Sequence, residues 1–103
     1  MFINYFRLAV DTVACLTHAV DFNQAPVVPD ATPTFRVYNP AGENITASNG
    51  TCTAHDAGNL TGSYRVAFTT SSPDYVRGQS YTIVVIFVVD GNEQRRIYTF
   101  KLT

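Results

Sequence analysis

The sequence has no tryptophan, one methionine and two cysteines in 103 residues, and only 15% of those residues are charged. Without tryptophan, the best flat platform for stacking on a sugar ring is missing. Two cysteines, Cys15 and Cys52, allow one disulfide or none. With no leader in view, two reduced thiols are the ordinary expectation. Charge of one sign is missing too. Seven Lys and Arg against eight Asp and Glu leave a formal charge of −1, so no basic field draws the chain to nucleic acid or an anionic membrane. Such a near-neutral surface also resists self-association poorly. The longest apolar run, residues 81–89, falls far short of the roughly 20 residues a membrane helix needs. At the start, Asn4, Arg7 and Asp11 interrupt what would have to be an unbroken apolar stretch, so no signal peptide is read.

Motifs that carry chemistry are equally scarce. There is no serine-centred nucleophile elbow, no phosphate loop and no paired-cysteine zinc motif. His18 lies near Asp21 and His55 near Asp56, but neither spacing matches a known ligand set or general-base pair, and polar loop residues are the expected reading. The scattered acids do not form a glycosidase pair. Sequons at Asn44, Asn49 and Asn59 read as turn and strand-edge chemistry in a chain without a leader. The residues predict a protein that is not an enzyme and holds no metal or cofactor.

What the chain does have is apolar alternation. A hydrophobic fraction of 46% excludes a disordered chain, and the length suits one domain with one core. No segment has a helical period. Residues 12–20, 33–38, 62–70, 79–89 and 94–102 read as strands. Residues 21–32 are a long connection marked by Pro26 and Pro29, and Asn39-Pro40-Ala41-Gly42 is a turn. Residues 45–56 predict a hairpin around Asn49-Gly50, a pair that favours a type I′ turn. Asp90-Gly91-Asn92 turns the longest strand into the last one. The fold class predicted is all-β: a single immunoglobulin-like β-sandwich of about seven antiparallel strands over residues 11–103, preceded by an N-terminal arm or strand over residues 1–10.

The strand at residues 79–89 decides the candidate surface. Tyr81, Ile83, Val85, Phe87 and Val89 share one face, while Val84, Ile86 and Val88 make most of the other apolar as well. An antiparallel strand usually buries one face and wets the other, so the second face needs a cover. Either the N-terminal segment folds over it or another subunit does. Phe2, Ile3, Tyr5 and Phe6 are the candidate anchors, and deletion of residues 1–8 is expected to spare the fold. Tyr64, Tyr81 and Tyr98 point inward by alternation, which leaves Tyr75, in the loop of residues 71–78, as the exposed tyrosine to test for ligand binding. Arg95-Arg96 is expected to protect an edge strand from misdirected pairing.

The order of motifs resembles the small immunoglobulin-like virion proteins of tailed bacteriophages. The matching parts are Asp11-Thr12-Val13, Thr17-His18-Ala19-Val20-Asp21, Ala25-Pro26, Pro33-Thr34-Phe35-Arg36-Val37-Tyr38, Gly62-Ser63-Tyr64, Gly78-Gln79-Ser80-Tyr81 and Val88-Val89-Asp90-Gly91. The family pattern commonly has a glycine before the Asp-Thr-Val step and another in the first long loop, where this chain has Val10 and Asn23-Gln24. The resemblance implies a structural protein made in the host cytoplasm and carried in the virion. It would be a capsid decoration or cement protein, or an accessory subunit of neck, tail or fibre. Its partners would be other virion proteins and further copies of itself, not nucleic acid or membrane. The alternative is a host-adhesion module that binds a glycan or other ligand through the long loops, residues 21–32 and 71–78, at one end of the sandwich.

Overall fold

A computed structural model describes residues 4–103. Nearly all regular structure is β, in two sheets that face each other across one core. The strands are β1 (Asn4–Phe6), β2 (Val13–His18), β3 (Thr34–Tyr38), β4 (Gly50–Thr51), β5 (Thr53–Ala54), β6 (Ser63–Phe68), β7 (Ser80–Val89) and β8 (Asn92–Leu102). The larger sheet has the order β1-β8-β7-β3-β4 and the smaller the order β2-β6-β5. Among the described residues no helix is long and apolar enough to cross a membrane.

The alternation read from the sequence places the core. Tyr81, Ile83, Val85, Phe87 and Val89 are all buried, as are Phe35, Val37, Phe100 and Leu102 from the flanking strands. Val13, Thr17 and Val66 face them from the smaller sheet. Aromatic rings bridge the layers: Phe35 stacks on Phe68 at 5.8 Å and Phe68 meets Phe100 edge-on at 5.7 Å. The Tyr98 hydroxyl donates to Thr17 Oγ1 across the core at 2.7 Å, which satisfies two buried polar groups at once. Cys15 and Cys52 are free thiols, each pushed up to about 11 by burial.

One connection departs from expectation. Residues 45–56 are not a hairpin. A 3-10 turn at Thr46–Ser48 leads into one extended run that pairs first with β3 through Gly50–Thr51 and then with β6 through Thr53–Ala54. The chain changes sheets at the buried Cys52, closing one side of the molecule. Asn49 sits at φ −64° and ψ 141°, outside the left-handed region a type I′ turn requires. Its carboxamide oxygen instead accepts from the Val37 amide at 3.3 Å. Gly50 is there for space: a Cβ would lie 2.9 Å from Phe35 Cζ.

Of the two alternatives for the N-terminal segment, an arm or a strand, its described part takes the strand. β1 pairs in parallel with the end of β8, Asn4 opposite Phe100 and Phe6 opposite Leu102. β1 therefore adds an edge strand to the larger sheet, and its pairing is the one parallel pairing among the described residues. Phe6 packs edge-on against Phe100 at 6.1 Å, and Leu8 also lies against the core. The Thr103 amide donates to the Phe6 carbonyl and the Leu8 amide to the Thr103 carbonyl. Arg7 and Asp11 then close the turn into β2 with an exposed ion pair at 3.0 Å.

Candidate functional site

The outer face of the larger sheet follows from register. Residues directly opposite in adjacent strands share a face, so Ile97 of β8, Val84 of β7 and Arg36 of β3 form one row across the sheet. The next row is Arg95, Ile86 and Thr34, followed by Glu93 and Val88. Toward the other end come Thr99, Thr82 and Tyr38, then Tyr5, Lys101 and Ser80. Val84, Ile86 and Val88 are half-buried, while Ile97 is 68% and Tyr5 65% exposed. No described segment of the chain lies across this face. The result is an aliphatic patch of Ile97, Val84 and Ile86, with Arg36 and Arg95 on opposite flanks. Only Glu93 offsets the local positive charge, through an exposed contact with Arg95 at 3.2 Å.

The candidate anchors divide accordingly. Phe2 and Ile3 lie outside the described residues. Tyr5 belongs to the exposed face, whereas Phe6 is half-buried and packs against the core. Tyr75 is a correction: it is 2% exposed rather than a surface residue. Its ring packs against Tyr81 at 4.9 Å and stacks on Phe68 at 6.4 Å, and its hydroxyl is hydrogen-bonded to Ser48. The Tyr81 hydroxyl in turn accepts the Val76 amide at 2.7 Å, so this loop folds inward onto aromatic rings. The two long loops also lie at opposite ends. Residues 71–79 precede the start of β7, whereas Asp30 of the other loop binds the hairpin at its far end.

That far end gathers three loops, residues 19–33, 55–62 and 90–91. The Asp30 carboxylate accepts the amides of Asp90 at 3.1 Å and Gly91 at 2.8 Å. The Ala19 amide donates to the Gly62 carbonyl, and a Cβ on Gly62 would meet the Val27 carbonyl oxygen at 2.6 Å. Asp21, Asp30, Asp56 and Asp90 all lie in these loops, which contain no Lys or Arg. Phe22 stands at the tip, 97% exposed. Its turn is pinned from inside: Asp21 Oδ1 accepts the amides of Asn23 at 2.8 Å and Ala25 at 3.0 Å, and the Asp21 amide donates to the Ala25 carbonyl. A large apolar side chain is thus held in water by a rigid support. Neither Ile97 nor Phe22 is singled out from the sequence; the signals for them are the alternation of β8 and an apolar residue between Asp21 and Asn23, where turns carry polar residues.

One histidine and one serine among the described residues stand close enough to suggest chemistry. His18 Nδ1 and Ser63 Oγ are 2.7 Å apart, a nucleophile–base distance. Ser63 is 4% exposed on its strand, and among the described residues no carboxylate is hydrogen-bonded to the His18 ring to orient it. The pair ties the ends of β2 and β6 instead. His55 and Asp56 make no such contact, and no three His, Cys, Asp or Glu side chains among the described residues converge as metal ligands. No protein-family model, curated protein or solved structure matches the chain, so its function has to be read from these surfaces.

Proposed function

We propose that the chain is a non-enzymatic subunit of a phage particle, an immunoglobulin-like sandwich that works by protein–protein contact as a capsid decoration or cement protein or as a neck, tail or fibre accessory. The observation that carries this reading is the face of the larger sheet that no described segment covers, where Ile97, Val84 and Ile86 lie between Arg36 and Arg95. Aliphatic side chains flanked by arginine are the composition of a contact surface rather than of a solvated one. In a particle with many copies, symmetry multiplies a modest contact of this kind. The motif order of residues 11–91 supports the same assignment. The adhesion reading loses the residue it rested on, because Tyr75 is buried.

The test is co-sedimentation of the purified protein with particles that lack it. Binding should saturate at a fixed number of copies per particle. Ile97→Asp should weaken it about tenfold or more while leaving the melting temperature near that of the parent chain, since the side chain is already 68% exposed. Failure to bind particles, or binding indifferent to Ile97→Asp, would overturn the proposal.

A further inference from the structure

The exposed sheet face and the acidic end of the molecule are complementary in charge. The end loops carry Asp21, Asp30, Asp56 and Asp90 with no Lys or Arg, so two such ends repel each other. The sheet face carries Arg36, Arg95 and Lys101 against Glu93 alone, so two such faces repel as well. An end set against a face brings opposite charges together. It also seats Phe22, 97% exposed on its pinned turn, among Ile97, Val84 and Ile86, the aliphatic side chains that Arg36 and Arg95 flank. An aromatic anchor entering a patch ringed by paired charges is the usual anatomy of an energetically dominant contact.

We infer that the occupant of the sheet face is the Phe22-bearing end of a second copy of this chain, in a head-to-face contact. The inference rests on the reading of the protein as an assembly subunit and names its partner. Because the two surfaces of the contact differ, each copy keeps one of each free. The contact is heterologous and propagates into a ring or a filament. Phe22 supplies the buried area at little cost in ordering, since hydrogen bonds already fix its turn. Opposed charges set the orientation and make association weaken with salt, as exposed charges are screened over about 10 Å at 0.1 M ionic strength.

Sedimentation velocity over a range of protein concentrations tests this directly. The parent chain should form species larger than a dimer, and raising the salt from about 0.05 to about 0.5 M should dissociate them. Phe22→Ser and Arg36→Glu, both at exposed positions, should each be monomeric and keep the parent circular dichroism and melting temperature. Mixed in equal amounts, these two variants should form a dimer and stop there, because each retains one working surface. A parent chain monomeric at every concentration would overturn the inference. So would association that survives either substitution, or a mixture that stays monomeric, which is the result for a two-fold contact between like surfaces. Particle binding by a strictly monomeric chain would give the face to another virion protein and leave the proposed function standing. Self-association without particle binding would leave the head-to-face contact standing and remove the virion.

Discussion

Tyr75 shows how far one side chain's role depends on what surrounds it. Its loop is polar in sequence, yet the ring is enclosed by Tyr81 and Phe68 and the hydroxyl reaches Ser48. Tyr75→Phe should cost about 1 kcal/mol for the lost hydrogen bond. Tyr75→Ala should cost about 3–5 kcal/mol, in line with truncation of a buried aromatic. Urea denaturation of both variants checks this, and a Tyr75→Ala protein as stable as its parent would place the ring on the surface after all. The thiols make a second prediction at the same scale. Burial raises both Cys15 and Cys52 from 9.0 to about 11, so the folded state holds these protons more tightly than the unfolded chain. Their contribution to stability is fully present below pH 9 and is lost as pH rises from about 9 to about 11. The melting temperature should fall across that window, and Cys15→Ala should make the fall shallower. Desolvation raises Tyr75 and Tyr98 in the same direction.

At the scale of elements, the edge strand β1 and the sheet-switching run β4–β5 depend most on tertiary context. β1 is three residues long, too short to persist without its partner. It is held by pairing with β8 and by Phe6 against Phe100. Deletion of residues 1–8 should therefore lower the unfolding free energy by about 2–4 kcal/mol, the scale for removing partly buried apolar side chains. That outcome belongs to the edge-strand alternative rather than to a detachable arm, and a truncated protein with unchanged stability would favour the arm. In β4, Gly50→Ala drives a Cβ to 2.9 Å from the buried Phe35 ring, which is itself stacked on Phe68. Overpacking of that kind costs about 1–3 kcal/mol. The loss should appear in thermal melts together with faster amide exchange at Thr34 and Phe35, the residues that pair with β4.

Apart from the local β7–β8 hairpin, the molecule is built from pairings between segments well separated in the chain. β1 joins β8, β2 joins β6, and β3 joins β7, so most loops must close before any pairing contributes. Such topologies fold in milliseconds to seconds rather than microseconds. Stopped-flow fluorescence of the tyrosines should find a main refolding phase in that range, and a microsecond phase accounting for the full amplitude would contradict the topology. At this scale charge also acquires a pattern. A net charge of −1 hides an acidic end at the β7–β8 hairpin and a basic patch on the larger sheet.

Local rules decided much of this protein from the sequence alone. The alternation in residues 79–102 identifies β7 and β8 and their inward faces, because side-chain direction in a strand has a period of two whatever the strand pairs with. Asp90-Gly91 identifies their hairpin, because both residues adopt the positive φ that the tight turn requires, 51° and 78°. The double apolarity of β7 marked an outer face that no described segment covers. Tertiary structure alone decided the parallel seat of β1, the change of sheet at Cys52, the burial of Tyr75 and the gathering of four aspartates at one end. Each of those is a choice of partner between segments far apart in the chain. Such choices are set by which surfaces close the core together, and no local pattern of residues encodes that.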